Sequence, residues 1–160
     1  ELLDVTKLPR GRSARQEYIN EVIVQRAQAG KRVVRFKGGD NFVFGRGFEE
    51  IQACRAAGVS AIVVPGVSSS IAGPGLAQIR VTHRGATDRI HIVSGHTARI
   101  NGGGLSVADL ASLADPAVTV VVLMGVRGIA AMAAQALEAR IEPEMPVVCE
   151  RFRLVHPKTS

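Results

Sequence analysis

The sequence predicts an α/β protein in which helices cover a mostly parallel sheet. Segments with apolar residues at helical spacing alternate with short β-branched runs along the 160 residues. One of these runs, residues 59–64, is apolar at nearly every position, which is typical of a strand covered on both faces. A second run, Val118–Leu123, gives the strongest strand prediction in the chain. A glycine-containing pair ends each run. Parallel sheets present ligand-binding loops at such strand ends.

The first predicted helix lies between two residues that favour helix ends. Ser13 is an N-cap candidate and Gly30 closes the helix, with apolar residues at helical spacing between them. The apolar run at residues 32–36 then predicts the first strand.

A second helix and a second strand follow in the same order. The helix is predicted over residues 48–57 and ends at Gly58. Residues 59–64 form the predicted strand, which Pro65-Gly66 stops.

The second half of the chain continues the alternation. Residues 68–79 are rich in small side chains and predict a helix that Gly73-Pro74-Gly75 would break or kink early. Ser106 is placed to cap a helix over Val107–Ala114. The other predicted elements are strands at Arg89–Ser94, Val118–Leu123 and residues 146–149, and a helix at residues 129–139.

A polar, glycine-containing stretch at residues 80–88 marks the predicted boundary between two small α/β lobes. We place the N-terminal lobe at residues 1–84 and the C-terminal lobe at residues 85–160. Each lobe is expected to carry a mostly parallel sheet.

Composition narrows the class of protein. With 46% apolar residues the chain is globular, and its net charge of +6 fits an anionic partner, either nucleic acid or a small polycarboxylate. Cys54 and Cys149 lie in apolar segments without metal-type spacing, which predicts buried free thiols in a reducing compartment. The sequence contains no apolar run long enough to cross a bilayer and no signal-peptide pattern at its start. We therefore expect a cytoplasmic protein without a membrane partner.

The loop at residues 37–47 is the most informative segment. It reads Lys-Gly-Gly-Asp-Asn-Phe-Val-Phe-Gly-Arg-Gly and follows directly on the strand predicted at residues 32–36. Two adjacent glycines permit positive φ and close approach of a ligand to the main chain, and Asp40 can accept hydrogen bonds. By itself the segment fits a small-molecule site or a simple strand-to-helix turn.

Four motifs in order carry a resemblance to the tetrapyrrole methylase family. They are Gly38-Gly39-Asp40, Val64-Pro65-Gly66-Val67-Ser68-Ser69, Val81-Thr82-His83-Arg84-Gly85 and Leu123-Met124-Gly125. The loop is most similar to that of family members that methylate uroporphyrinogen III, with Asn41 in the place of a proline. The resemblance runs from about Lys7 to Met145.

The resemblance implies a tetrapyrrole-methylase-like fold with the cofactor in a cleft between the two lobes. It implies methyl transfer from S-adenosylmethionine to carbons of uroporphyrinogen III, giving precorrin-2 for sirohaem or cobalamin biosynthesis, in a homodimer without a metal. The implied cofactor-binding residues are Gly38, Gly39, Asp40, Val43, Ser68, Ser69 and Met124.

Three basic residues are the remaining site candidates. The resemblance places Lys7 where related enzymes carry a lysine proposed as proton donor, although a solvated lysine fits equally well. Because the substrate carries several carboxylates, Arg46 and Arg84 are candidate substrate-binding residues.

The chain also departs from the family pattern. The family's first strand and first loop, which brings a candidate base, have no counterpart before Lys7, and residues 151–160 do not continue the pattern. We therefore expect a chain truncated at both ends, with an incomplete C-terminal lobe, in which activity is in question.

Two other functions stay open from the sequence. Another tetrapyrrole methylase, such as a precorrin methyltransferase or diphthine synthase, would share the fold and cofactor. A basic nucleic-acid-binding module would need a clustered basic face with aromatic platforms, whereas aromatic residues make up only 4% of this chain. We expect no nucleic-acid partner.

Overall fold

A computed structural model describes residues 1–5, 16–96 and 104–149. The chain forms two compact units, Glu1–Val67 and Ser68–Ser160. The lobe boundary predicted after Arg84 falls within the second unit and stays a prediction. The predicted N-cap Ser13 lies outside the described residues.

Two helices in the described part of the first unit pack against each other. Helix α1 spans Gln16–Gln28 and α2 spans Gly47–Ala56, which confirms both predicted helices to within a residue or two of the expected ends. Among the described residues of this unit, Ile19 of α1 and Cys54 of α2 are the buried apolar side chains, at 1% and 5% exposure.

Glycines end both helices as predicted. Gly30 and Gly58 have φ angles of +74° and +69°, which lie in the left-handed region. The amide of Lys31 donates to the Arg26 carbonyl at 3.0 Å, and that of Val59 donates to the Cys54 carbonyl at 2.8 Å. These bonds reach back over each helix end and satisfy its last carbonyls.

The strands predicted at residues 32–36 and 59–64 are wrong. Neither segment belongs to a β-ladder within the described ranges. Their side chains are not covered on two faces, since Phe36 is 86% exposed and Ile62 is 91% exposed. The β-branched composition indicates only a local preference, whereas a strand needs a neighbouring segment that supplies hydrogen bonds along its length.

The second unit contains the parallel sheet that defines the α/β class, and this confirms the predicted fold class. Strand β1, Arg89–Ser94, pairs in parallel with β2, Val118–Leu123. The register runs from Arg89 opposite Val118 to Ser94 opposite Leu123. Both strands have the predicted bounds, and β2 is half-buried at every position.

In residues 68–96 and 104–149, three helices and one short turn of 3-10 helix accompany this sheet. The helices are α3 at Ser69–Leu76, α4 at Val107–Ala114 and α5 at Ile129–Glu138, and the 3-10 turn is Val126–Gly128. Ser106 caps α4 in a capping box with Asp109, as its position predicts. Helix α3 contacts β2, and α4 contacts both strands.

Two expectations for this unit are corrected. Helix α3 continues through Pro74 to Leu76. Pro74 lacks only its own backbone N–H, and the amides of Ala77 and Ile79 still donate to the carbonyls of Gly73 and Pro74. The strand predicted at residues 146–149 belongs to no ladder in the described part of the chain, and Cys149 is exposed instead of buried. Cys54 is buried as expected.

Candidate cofactor-binding site

The loop at residues 37–47 folds around the carboxylate of Asp40. Oδ1 of Asp40 accepts hydrogen bonds from the backbone amides of Phe42 at 2.8 Å and Val43 at 2.9 Å. The amide of Gly47 donates to the Asn41 carbonyl at 2.9 Å and closes the turn before α2. Asp40 therefore organises the loop on which the predicted residues Gly38, Gly39 and Val43 also lie.

Glycine at position 66 permits close backbone packing against this loop. A Cβ atom at Gly66 would overlap the carbonyl oxygen of Gly39. Gly39 itself has a φ of +73°, which favours glycine. The adjacent glycines of the first motif and the glycine of the second motif thus meet in the first unit.

Asn41 provides the second link between these segments. Its side-chain Nδ2 donates a 2.7 Å hydrogen bond to the carbonyl oxygen of Val64. A proline, which stands here in the family pattern, has no side-chain donor for this bond. The departure from the pattern therefore replaces a rigid ring with a hydrogen-bonded tether.

Two non-glycine residues in the loop adopt left-handed backbone conformations. Phe44 has a φ of +52° and Arg46 a φ of +56°. Such conformations cost roughly 1–3 kcal/mol and are maintained by surrounding structure, often at functional sites. Gly47, which directly follows Arg46, packs closely on the start of the loop. A Cβ on it would lie 2.6 Å from the Asn41 carbonyl oxygen.

The loop begins beside a buried ionic cluster centred on Glu50. Its carboxylate accepts hydrogen bonds from Lys37 Nζ at 3.0 and 3.1 Å, Gln16 Nε2 at 3.2 Å and Arg35 Nε at 3.2 Å. The Glu50 side chain is 8% exposed and that of Lys37 is 11% exposed. Burial alone raises the pKa of Glu50, but the hydrogen bonds from Lys37 and Gln16 outweigh it and leave that pKa below its ordinary value.

Asp40 is also held as an anion. The Phe42 and Val43 amides lower the pKa of its carboxyl below the ordinary value. An ionised carboxylate accepts hydrogen bonds and donates none, so at neutral pH Asp40 suits hydroxyl or ammonium groups of a ligand.

The candidate Arg46 is engaged by a neighbouring carboxylate. Its Nε and NH2 atoms donate to Glu49 at 2.7 and 2.6 Å in a two-pronged pair, and both side chains are nearly half exposed. This pairing raises the pKa of Arg46. A substrate carboxylate would have to share Arg46 with Glu49 or displace it.

Ser68 and Ser69 open helix α3 in the second unit. The Ser68 hydroxyl caps the helix by accepting from the Ser70 amide at 3.2 Å, and it also accepts from the Ser70 hydroxyl at 2.8 Å. Ser70 is 1% exposed, whereas Ser69 is exposed. Ser68 therefore caps the helix, the buried Ser70 donates to Ser68, and Ser69 is exposed.

Met124 is presented at the carboxyl end of β2. It is 58% exposed and has a left-handed φ of +59°, so it is not a core residue. The next residue, Gly125, packs so closely on Gly95 that a Cβ at Gly95 would lie 2.5 Å from the Gly125 Cα. The Gly95 amide donates to the Leu123 carbonyl at 2.8 Å and fixes this strand end.

Arg84 and Lys7 are the remaining two candidates, and of these Arg84 lies within the described residues. Arg84 is exposed in a turn where the His83 amide donates to the Thr87 carbonyl at 2.8 Å. Lys7 lies outside the described residues.

Sequence reasoning missed Glu50, which accepts a hydrogen bond from Lys37 at the start of the loop, and Ser70, which donates a hydrogen bond to Ser68. A signal for Glu50 was present, since it lies four residues before the buried Cys54 and so shares its helix face. Ser70 had no signal distinguishing it from the neighbouring serines.

The fold defines an α/β protein whose glycine-containing loop is a candidate site for a small molecule, and comparison with known proteins identifies the family. The chain matches the family model Tetrapyrrole (Corrin/Porphyrin) Methylases over residues 2–151. It belongs to this family.

Similar curated proteins carry related names. The chain is 47% identical over 98 residues to the uroporphyrinogen-III C-methyltransferase of Methanocaldococcus jannaschii, covering 61% of this chain and 40% of that protein. It is 46% identical over 111 residues to siroheme synthase 1 of Serratia proteamaculans, covering 69% of this chain and 23% of that protein. The chain therefore spans less than half the length of these relatives.

Solved structures show the same fold. The uroporphyrin-III C-methyl transferase of Thermus thermophilus, solved with S-adenyl homocysteine, matches with a TM-score of 0.63 and 38% identity over 80% of this chain and 54% of that one. A cobalt precorrin-4 methyltransferase matches with a TM-score of 0.61 at 20% identity, and this likeness shows the fold alone.

None of the described helices is long and apolar enough to span a membrane.

Proposed function

We propose that this chain carries out S-adenosylmethionine-dependent C-methylation of uroporphyrinogen III. The single observation that carries the proposal is the Asp40 loop, in which an ionised carboxylate and paired glycines are packed closely against Gly66. Support comes from the similarity to a Thermus thermophilus enzyme solved with S-adenyl homocysteine and to relatives named for uroporphyrinogen-III methylation.

The proposed role of the loop is binding and orientation. Gly38 and Gly39 leave the main chain open to close approach, while Asp40 offers an acceptor for the ribose hydroxyls or the ammonium group of the cofactor. Ser68, Ser69, Val43 and Met124 complete the proposed set. When bound, the cofactor supplies an activated methyl group on a sulfonium, so the protein contributes chiefly by positioning.

The proposed substrate contacts are basic. Arg46 and Arg84 are exposed guanidinium groups that suit carboxylates of the tetrapyrrole. Because a proton must leave the tetrapyrrole when one of its pyrrole carbons is methylated, an acid–base group is also needed. Lys7 is the candidate for proton transfer, and it stays a prediction.

Assembly and location belong to the same proposal. Exposed apolar side chains of the first unit, Val34, Phe36, Ile62 and Val64, support association into the homodimer expected of the family. The exposed free thiol of Cys149 fits a reducing compartment such as the cytoplasm.

A methyl-transfer assay tests the proposal. Uroporphyrinogen III and S-adenosylmethionine are incubated with the wild-type chain, with Asp40→Ala, and with Glu138→Ala as an exposed-acid control. We expect methylated product from wild type and the control, and at least about a tenfold loss for Asp40→Ala, since one ionic hydrogen bond is worth about 1.5–3 kcal/mol. Equal turnover by all three proteins would remove Asp40 from the site, and transfer to another precorrin in place of uroporphyrinogen III would reassign the substrate.

A further inference from the structure

One buried carboxylate connects three segments of the first unit. Glu50 accepts from Gln16 at the start of α1, from Arg35 before the loop and from Lys37 at the first position of the loop. At 7% exposure it is the buried acidic residue of this unit. A buried charge is stable only when it is paired and hydrogen-bonded, so its partners are held in place.

The place of Lys37 in the chain gives this cluster a role in the loop. Lys37 directly precedes Gly38-Gly39-Asp40, and Glu50 lies in the first turn of α2, directly after the loop ends. The Lys37 Nζ to Glu50 Oε2 ion pair of 3.0 Å therefore joins the two ends of the loop. A loop closed at both ends has fewer conformations to lose when a ligand binds.

Apart from the bond from Arg35, which precedes the loop, the hydrogen bonds to Glu50 are of two kinds. The bond from Gln16 joins α1 to α2 and supports the helix pair. The bonds from Lys37 act on the loop itself, whose glycines have no side chains to hold them. Removing Lys37 alone consequently separates loop positioning from helix packing.

We propose that Glu50 is a positioning residue that acts through Lys37 to hold Gly38, Gly39 and Asp40 in their binding conformation. It does not touch the ligand. The inference rests on the proposed function for its ligand, S-adenosylmethionine, while the effect on the loop is measurable without any ligand.

Hydrogen exchange of the free protein tests the positioning. The Phe42 and Val43 amides, which donate to Asp40, report on the loop. In Lys37→Met and Glu50→Gln we expect these amides to exchange about tenfold faster than in wild type, because local opening becomes easier. Ile19→Val, which trims the buried core of α1, is the control and should leave the ratio of loop to helix exchange unchanged. Unchanged Phe42 and Val43 exchange in Lys37→Met, or an equal increase in Ile19→Val, would overturn the proposal.

Calorimetric titration with S-adenosylhomocysteine measures the consequence for binding. We expect about a tenfold weaker Kd for Lys37→Met and for Glu50→Gln, no further loss in the double variant, and recovery in Lys37→Arg, since groups acting as one pair are not additive. Full additivity of the two losses would show that Glu50 acts on binding by another route and would overturn the proposal. If Glu50→Gln does not fold, Lys37→Met and Lys37→Arg decide the question. Failure of wild type to bind would count against the proposed function alone, because the exchange measurement still decides the positioning.

Discussion

The backbone of Gly66 lies against the carbonyl of Gly39, with no room for a side chain at position 66. This contact joins the second sequence motif to the first. It explains why both motifs need glycine, since one supplies the left-handed turn and the other the close approach. The loop is thus packed against Gly66, which lies 27 positions after Gly39 in the chain.

Replacement of Gly66 by alanine should damage the site. The added methyl group would displace the Gly39 carbonyl, and we expect a loss of about 1–3 kcal/mol in stability and a weaker affinity for S-adenosylhomocysteine. Gly75→Ala is the matched control because nothing lies within 4 Å of a Cβ there. Chemical denaturation and calorimetry of both variants would check this, and equal behaviour of the two would contradict the packing described.

Removing the hydrogen bond from Asn41 to Val64 should lower the free energy of unfolding moderately. Asn41→Ala removes the 2.7 Å bond to the Val64 carbonyl, which is exposed, so we expect a loss of about 0.5–1.5 kcal/mol in the free energy of unfolding. Asn41→Asp removes the donor while keeping the shape and should lose at least as much. Urea denaturation measures both, and a stability equal to wild type would mean that solvent replaces this bond without cost.

Replacing Met124 by glycine should have opposite effects on stability and on cofactor binding. Glycine tolerates the left-handed φ of +59°, so Met124→Gly should gain up to about 1 kcal/mol in stability. If the side chain contacts the cofactor as proposed, the same variant binds S-adenosylhomocysteine more weakly. Gln78→Gly is the control, because Gln78 has the same φ of +59°. Weaker binding in both variants would remove the specific role of Met124.

The pair of His91 and Asp109 predicts acid sensitivity in the second unit. His91 Nε2 lies 2.8 Å from Asp109 Oδ1. Burial raises the pKa of Asp109, but hydrogen bonds from His91 and Ser106 outweigh it and leave that pKa below its ordinary value of 3.8. A carboxyl whose pKa is lowered on folding adds stability above its unfolded pKa, and this is lost as the pH falls through the folded pKa.

Thermal unfolding of wild type and Asp109→Asn between neutral pH and about pH 2.5 checks this sign. We expect wild type to be more stable at neutral pH and the difference in Tm to shrink below about pH 4. A difference that grows on acidification would contradict the lowered pKa.

Local signals predicted the helices and the paired strands of this protein. Gly30, Gly58 and Ser106 mark helix ends through bonds to residues nearby in the chain, and such ends are visible in the sequence. The strands predicted at residues 32–36 and 59–64 failed because a ladder depends on a distant partner that composition does not specify.

The candidate site was predictable to a similar extent. The loop residues were proposed because glycines and one acid form a compact pattern. Glu50 shares a helix face with Cys54, but its partner Gln16 lies 34 positions away, so the sequence did not indicate the hydrogen bond between them. The pairing of Arg46 with Glu49 was visible in principle as an i, i+3 spacing.

Calorimetric titration of the folded wild-type chain with S-adenosylhomocysteine tests the central claim most directly. Circular dichroism first establishes that the sample contains helix and strand. We expect saturable binding at one site per chain, reduced by Asp40→Ala and kept by Glu138→Ala. A folded wild-type protein that releases no heat and shows no thermal stabilisation at saturating ligand would contradict the assignment of a cofactor site to this chain.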